Sequence, residues 1–209
     1  MGYCADHVIN VNQLGESLNR RKYPVQKDIA LDGYNLLYSS DQVSQGISDI
    51  SEAILGFYSG NCIVNIVPVM TGGMQFAASV LTCLENQSPG KWKVSPVFCS
   101  TYTSDSVLAR TQVEFPSGFD TKIELGAPTL ILDDIYDSGR TMGELFILLK
   151  DKGLKSVKSA VLINRIVLDR PFQDPDFAVF DLDSDKWVVG YGLDSNQLYR
   201  GLSGIYTKL

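Results

Sequence analysis

Short apolar runs alternate with helical patterns through the middle of this chain, and this alternation restricts its fold more than any other feature. Cys62–Met70 is rich in Val and Ile, which is typical of a strand buried on both faces. A helical pattern follows from about Met74 to Asn86, and the order recurs with Thr129–Leu132, Thr141–Lys152 and Ser156–Ile166. We therefore expect a doubly wound α/β core with a parallel sheet.

The two ends of the chain lack this rhythm. A helix is expected at Asn12–Arg21, and short β-like pieces are expected at Phe177–Leu182 and Trp187–Tyr191, with no helix long enough for another crossover. A length of 209 residues fits one domain. We predict a single domain over residues 1–209, with a core at about 46–170 and a small hood lobe at about 1–45 plus 171–209.

One stretch between the expected elements is unusually long. A strand is expected at Trp92–Tyr102, and Thr103–Gly126 after it shows no strong period. Irregular stretches of this length are uncommon in compact domains and usually form functional lids or are disordered. We predict a lid.

The charge balance excludes one class of function. Lys and Arg number 18 against 24 Asp and Glu, which gives a net charge of −6. Binding to a phosphate backbone needs a dense positive surface, so nucleic acid is not an expected partner. Pro68 and the Gly72-Gly73 pair interrupt the longest uncharged stretch, and no basic cluster precedes an apolar core at the N-terminus. We expect a cytoplasmic protein that does not bind membranes.

The segment Leu130–Met142 carries the chemistry. Asp133 and Asp134 end an expected strand, and Asp137 opens a Ser-Gly-Arg-Thr turn that leads into a helix. Ligands of open α/β sheets bind outside the carboxyl ends of the strands, where these acids fall. The turn supplies backbone N–H groups and hydroxyls at a helix N-terminus, which favours phosphate binding. The acids are then left to face hydroxyls or a metal.

A purely structural interpretation competes with this one. Asp137 would be a helix N-cap, and Asp133 and Asp134 would form a solvated strand end. That interpretation gives no reason for three acids and a phosphate-type turn to lie within nine residues after a strand. We prefer the functional interpretation.

These residues resemble the fingerprint of the type I phosphoribosyltransferases: a hydrophobic strand, two acids, two apolar residues, then Asp-Thr-Gly-Lys/Arg-Thr. Only Ser138 departs from it, and serine keeps the hydroxyl. The resemblance implies binding of phosphoribosyl pyrophosphate, with Asp133 and Asp134 near the ribose hydroxyls. The residues that it places around the 5-phosphate are Asp137, Ser138, Gly139, Arg140 and Thr141.

Two further segments are similar to the hypoxanthine-guanine branch of this family. Lys186–Asp194 looks like that branch's Lys-Phe-Val-Val-Gly-Tyr-x-Leu-Asp, and Leu162–Arg165 looks like its Leu-Leu-x-Lys. The resemblance implies that Trp187 stacks on a purine and that Arg165 donates to the exocyclic oxygen of a 6-oxopurine. The implied purine-binding residues are Ile135, Arg165, Trp187 and Val188, the last acting through its backbone.

The segment Val69–Gly73 resembles the family's pyrophosphate loop, usually Val-Leu-Lys-Gly-Gly. It implies pyrophosphate contacts from Met70, Thr71 and Gly72, with Thr71 in place of the usual Lys. Arg200 matches the family position of a second cation, so the expected site keeps a positive charge.

A mobile loop and a metal complete the resemblance. Thr101 and Tyr102 stand where the family has Ser-Tyr at the start of a loop that closes over the reaction centre. Mg²⁺ is the implied cofactor, with Asp194 as its expected protein ligand. Asp137 is the implied base or hydrogen-bond partner at N7 of the purine.

The implied reaction displaces pyrophosphate from C1 of the ribose by N9 of hypoxanthine or guanine, which gives IMP or GMP in purine salvage. Homodimers or homotetramers are expected from the family. Two alternatives stay open: another base such as xanthine, and a regulatory RNA-binding protein on the same fold. The net charge of −6 counts against the second.

Overall fold

The computed structural model describes residues 28–104, 107–167, 170, 172–183 and 185–209, with their side chains except those of residues 101–110. The helix expected at Asn12–Arg21 lies outside these residues. The described helices are α1 (Ser40–Phe57), α2 (Met74–Gln87), α3 (Phe119–Lys122) and α4 (Arg140–Asp151). The described strands are β1 (Tyr34–Tyr38), β2 (Val64–Met70), β3 (Trp92–Val94), β4 (Val97–Ser104), β5 (Val107–Glu114), β6 (Thr129–Tyr136), β7 (Val157–Arg165), β8 (Phe177–Leu182), β9 (Val188–Val189) and β10 (Ile205–Lys208).

A seven-stranded sheet forms the centre of the molecule, in the order β5-β4-β2-β6-β7-β8, with β3 paired to β2. The pairs β2–β6, β6–β7 and β7–β8 are parallel, and only β4–β5 is antiparallel within this sheet as described. This arrangement is the α/β fold expected from the strand–helix rhythm.

Helices cover both faces of the sheet because its central strands are apolar on both sides. On one face, Ile66 and Leu132 pack in a buried cluster with Ile54 of α1 and Val80 of α2. On the other face, Val67 and Ile131 pack with Leu145 and Leu149 of α4. Successive residues of one strand point to opposite faces, so neighbours such as Ile66 and Val67 enter different clusters.

Local sequence accounts for where the helices begin. Ser39 caps α1: its side chain accepts from the Gln42 amide, and the Gln42 side chain accepts from the Ser39 amide. At α4 the cap is Gly139, with φ of 80° and no side-chain cap bond. A Cβ there would lie 2.7 Å from the Tyr136 hydroxyl, so the sharp entry into α4 requires glycine.

A second, three-stranded antiparallel sheet lies in the order β1-β10-β9 and joins the two ends of the described chain. The β-like piece Trp187–Tyr191 contributes only Val188–Val189 to it. The prediction that placed Phe177–Leu182 in the hood lobe is wrong, because that strand pairs in parallel with β7 in the main sheet. None of the described residues between β7 and β8 is helical.

Much of the described part of the stretch Thr103–Gly126 has regular structure. Residues 107–114 form β5, which pairs along β4, and residues 119–122 form α3. The single strand predicted at Trp92–Tyr102 is two strands, β3 and β4, which pair with successive parts of β2. The backbone of the predicted lid residues Thr101 and Tyr102 therefore lies in the antiparallel strand pair β4–β5 at the edge of the sheet.

Among the described residues, none of the helices combines the length and hydropathy that crossing a membrane would need.

Candidate functional site

A cavity of about 230 Å³ lies at the carboxyl ends of β2 and β6, bordered by the turns that lead into α2 and α4. It brings together motifs that are far apart in the sequence. The predicted residues that line it are Met70, Thr71, Gly72, Asp133, Asp134, Ile135, Thr141, Asp194 and Arg200. Cys99 of β4 also lines it, and sequence reasoning missed this residue.

The two adjacent acids lie inside β6, which continues to Tyr136, and not at its end as expected. Burial, followed by the neighbouring charge of Asp134, raises the pKa of Asp133 well above its usual value. Burial also raises the pKa of Asp134, while hydrogen bonds and the charge of Arg200 lower it. The interpretation of this pair as a solvated strand end is wrong, since Asp133 is only 7% exposed. Buried carboxylates facing a cavity are suited to bind hydroxyls or a cation.

The loop after β2 comes directly against these acids. The Met70–Thr71 peptide bond is cis. A Cβ at Gly72 would lie 2.1 Å from Oδ2 of Asp134, and a Cβ at Gly192 would lie 2.2 Å from the Gly72 carbonyl oxygen. Gly192 has φ of 103°, so a side chain is excluded there by conformation and by space. The backbone of this loop is held between Asp134 and the segment after β9.

Asp194 and Arg200, which both line the cavity, form an ion pair. Nη2 of Arg200 lies 2.6 Å from Oδ1 of Asp194, and Nη1 donates to the Gly192 carbonyl at 2.6 Å. The Gln197 amide donates to Oδ2 of Asp194 at 2.7 Å. The Arg200 side chain is 21% exposed, so most of this cation is covered by the protein. The pair keeps one negative and one positive group beside the loop that the family resemblance assigns to pyrophosphate.

Asp137 and Arg165 form an ion pair at the carboxyl ends of β6 and β7. Nε of Arg165 lies 3.3 Å from Oδ1 of Asp137, and its two terminal nitrogens each lie 3.3 Å from the Lys186 carbonyl. Asp137 does not cap α4, since that cap is Gly139, and its side chain is 62% exposed. The Arg165 side chain is 12% exposed. The guanidinium thus joins the turn before α4 to the segment before β9.

The predicted phosphate turn precedes a helix of twelve residues. The amide of Arg140 is 3.5 Å from Oγ of Ser138, and Thr141 lines the cavity. Backbone N–H groups of a helix's first turn have no partners within the helix and carry the positive end of its dipole. The turn can therefore receive an anion close to the buried acids.

Trp187 and Val188, two of the predicted purine-binding residues, directly follow Lys186, whose carbonyl contacts Arg165. Trp187 is 58% exposed, and its indole N–H donates to the Asp194 carbonyl at 2.8 Å. Val188 is buried in β9 with its side chain in the core, so only its backbone is available to a ligand. The indole hydrogen bond fixes an aromatic face next to the Asp194–Arg200 pair.

A second cavity of about 340 Å³ continues from the first along β4 and β5. The two cavities share Met70, Thr71, Cys99 and Arg200, and the second adds Glu114. Burial raises the pKa of the Cys99 thiol to about 12, so this cysteine stays protonated at neutral pH. The backbone of Thr101 and Tyr102 runs along β4, paired with Thr111 and Arg110, and the side chains of both residues lie outside the described part.

The chain matches a known family over most of its length. The model for the phosphoribosyl transferase domain matches residues 34–196. The chain belongs to this family. The matched range begins at β1 and contains both acidic motifs of the site.

Curated relatives narrow the comparison. The hypoxanthine-guanine phosphoribosyltransferase of Canis lupus familiaris is 32% identical over 140 residues, which cover 66% of this chain and 64% of that protein. That of Cricetulus griseus is 32% identical over 142 residues, with the same coverage. The chain thus spans slightly less than two thirds of the length of these relatives.

Solved structures of phosphoribosyltransferases share the fold. A mutant of the Trypanosoma cruzi hypoxanthine phosphoribosyltransferase, complexed with the product IMP, superposes with a TM-score of 0.73 at 23% identity. The comparison covers 87% of this chain and 94% of that one. Another structure, from a study of the C-terminal region, oligomeric state and activity of the same enzyme, has a TM-score of 0.73 at 22% identity. These neighbours show that the main sheet and its helices form the type I phosphoribosyltransferase fold.

Proposed function

We propose that this chain transfers the 5-phosphoribosyl group from phosphoribosyl pyrophosphate to N9 of a 6-oxopurine, hypoxanthine or guanine. The products are IMP or GMP and pyrophosphate. The curated relatives named above carry this activity in their names. A cytoplasmic homo-oligomer acting in purine salvage is part of the same proposal.

The observation that carries the proposal is the contact between Asp137 and Arg165 beside the phosphate turn. A 6-oxopurine offers an oxygen at C6 and a nitrogen at N7 on one edge. Arg165 supplies a donor for the oxygen, and Asp137, 3.3 Å away, accepts a hydrogen bond or proton at N7. An amino group at C6 would place a donor against a donor, which disfavours adenine.

The remaining contacts support a sugar and pyrophosphate beside this base. Asp133 and Asp134 line the same cavity as Thr141 of α4, so they would be able to bind the ribose hydroxyls of a substrate whose phosphate occupies the α4 turn. Met70, Thr71 and Gly72 offer the backbone of their loop, and Arg200 offers a charge to the pyrophosphate. Trp187 offers a stacking face for the purine, worth roughly 1–3 kcal/mol by alanine substitution.

The carboxyl groups of Asp133, Asp134 and Asp194 also fit a magnesium ion that takes most of its ligands from substrate and water. Among the described residues, no group of three or more His, Cys, Asp or Glu side chains is arranged to hold a metal by itself. Asp194 lines the same cavity as Asp133 and Asp134 and would be the protein ligand. Bound there, magnesium would neutralise pyrophosphate charge. Arg200, which is paired with Asp194, would lie beside the same pyrophosphate and could donate to its oxygens.

A panel of bases tests the proposal. Hypoxanthine, guanine, xanthine, adenine and uracil are each incubated with phosphoribosyl pyrophosphate and Mg²⁺, and nucleotide formation is followed by absorbance. Turnover of hypoxanthine and guanine, with adenine at least tenfold slower in kcat/KM, is expected. Turnover of xanthine alone would show that the enzyme is a phosphoribosyltransferase for xanthine and not for hypoxanthine or guanine. Absence of turnover with every base, together with an RNA gel shift that persists at physiological salt, would replace the enzyme by the RNA-binding alternative.

A further inference from the structure

The side chain of Arg170 is buried between the ends of β6 and β7, with only 4% of it exposed. Its Nη2 donates to the carbonyl of Arg165, and its Nη1 donates to Oδ1 of Asn164 at 3.1 Å. The guanidinium carbon lies 4.6 Å from the centre of the Tyr136 ring. One side chain therefore contacts two neighbouring strands at the edge where the candidate site is built.

Burial of this charge is poorly compensated by ion pairing. The carboxylate within reach is that of Asp174, at 3.0 Å, and the Asp174 side chain is 79% exposed. An exposed partner of this kind contributes little to stability. The buried Nε of Arg170 has no hydrogen-bond partner among the described residues. Sites that break the rule of polar satisfaction are expected where a function compensates for the cost.

Two of the strand residues that Arg170 contacts, Tyr136 and Arg165, lie next to or within the Asp137–Arg165 pair that reads the base in the proposed function. Tyr136 directly precedes Asp137, and the carbonyl that accepts from Nη2 belongs to Arg165 itself. We infer that Arg170 is a positioning residue that sets the separation of Asp137 and Arg165, and through it the discrimination between oxopurines and aminopurines. This inference rests on the proposed function, because it assigns Arg170 an effect on the base that Arg165 reads.

The same contacts extend to the phosphate turn. The Tyr136 hydroxyl donates to the Gln173 carbonyl at 2.5 Å, and a Cβ at Gly139 would lie 2.7 Å from that hydroxyl. Gly139, the N-cap of α4, therefore packs against the Tyr136 hydroxyl, and a shift of the Tyr136 ring would reach the start of α4. Lysine cannot replace these contacts, because an ammonium has no planar fork that bonds two acceptors and lies against a ring.

A double-mutant cycle tests the inference. Arg170→Met removes the guanidinium and keeps an unbranched side chain, and the readout is the ratio of kcat/KM for hypoxanthine to that for adenine. We expect this ratio to fall about tenfold, with an increased KM for hypoxanthine, since small misplacements of reacting groups cost up to about a hundredfold. In an Arg165→Ala background, Arg170→Met should change the ratio no further, because its effect passes through Arg165. Asp174→Asn is the matched control and should leave the ratio unchanged.

The outcomes separate the inference from the proposed function. A merely structural arginine would lower the active fraction equally for all bases, so an unchanged ratio in Arg170→Met overturns the inference. Additive effects of Arg170→Met and Arg165→Ala on the ratio overturn it as well. If circular dichroism shows that Arg170→Met does not fold, Arg170→Lys is measured by the same ratio and with the same expectation. Lack of turnover in the unmodified protein refutes the proposed function itself. An unchanged ratio in Arg165→Ala shows that Arg165 does not read the base, which overturns the inference and leaves the transfer reaction standing.

Discussion

Asp133 and Asp137 lie four residues apart and have opposite surroundings. Asp133 is 7% exposed, whereas the side chain of Asp137 is 62% exposed and paired with Arg165. Both belong to one acidic motif that sequence reasoning found, because the motif is local and its turn residues are specific. The distinction between them depends on which residues surround each one in space, so only the structure supplies it.

Removing the carboxylate of Asp137 tests its proposed role as base. Asp137→Asn keeps the size of the side chain and loses the ability to accept a proton, so kcat should fall by about 10²-fold or more, the range of general base catalysis. The thermal midpoint should change little, because the group is exposed and does not cap α4. Stopped assays with hypoxanthine and a calorimetric scan check both parts. Near-normal turnover would leave Asp137 without a chemical role.

Asp133 should instead affect stability in a pH-dependent way. Its pKa is raised in the folded state, so folding takes up a proton between the unfolded and folded pKa values, and stability falls as pH rises through that window. Asp133→Asn should unfold at a higher temperature than the unmodified protein at neutral pH. This advantage should vanish below about pH 4, the usual range of an aspartate. Melting curves from pH 4 to 8 measure the difference, and a constant offset would contradict the assignment.

At the scale of elements, the strands and helices predicted for the centre of the main sheet are confirmed. The prediction of an irregular segment at the edge formed by β4 and β5 is wrong. The residues Thr111 to Glu114 alternate between half-buried and exposed, which is the period of a strand with one solvated face. That signal is weak in a run of Thr, Gln and Glu, and Pro116 and Gly118 follow at once. Pairing with β4, a tertiary contact, is what makes the segment a strand.

The prediction that Asp133 and Asp134 follow the end of β6 is wrong for a similar reason. Acids are depleted in strands, so the apolar run predicts an end at Leu132. The neighbouring strand β7 continues the pairing to Tyr136, opposite Asn164. Arg170 and Gly192 could not be predicted either, because their partners Tyr136 and Gly72 lie far away in the sequence.

The loop between β2 and α2 offers a test at the scale of an element. Thr71 is exposed and lines both cavities together with Arg200. Thr71→Lys should add a charge-assisted hydrogen bond to pyrophosphate, worth about 1.5–3 kcal/mol, and lower KM for phosphoribosyl pyrophosphate by about tenfold or more. Thr71→Gln has a similar length without the charge and should leave this KM nearly unchanged. Equal effects of both variants would show that charge at this position does not matter.

At the scale of the whole molecule, the candidate site combines residues of the main sheet with Asp194 and Arg200, which lie between β9 and β10 of the second sheet. Substrate binding should therefore stabilise the entire fold. Phosphoribosyl pyrophosphate with Mg²⁺ at 100 times its Kd should add about 2.7 kcal/mol to the free energy of unfolding. Asp194→Asn should reduce the magnesium-dependent part of this gain, measured by thermal shift with and without the metal. Lys93→Gln, which removes a surface ion pair with Glu124, is the control and should keep the full gain. An identical gain in both variants would rule out Asp194 as the ligand.

The pairing of β1 with β10 affects the order in which the parts of the candidate site form during synthesis. Tyr34 lies opposite Lys208, a sequence separation of 208 − 34 = 174 residues, and β10 is the central strand of its sheet. Closing so long a loop is entropically costly and slow, whereas the βαβ units between residues 64 and 165 close locally. In a ribosome-bound chain that has emerged as far as β8, we expect the turn before α4, the proposed phosphate site, to be folded already. Trp187 and Val188, which the proposed function assigns to the purine, should reach their final place only once β10 has left the exit tunnel and paired with β9.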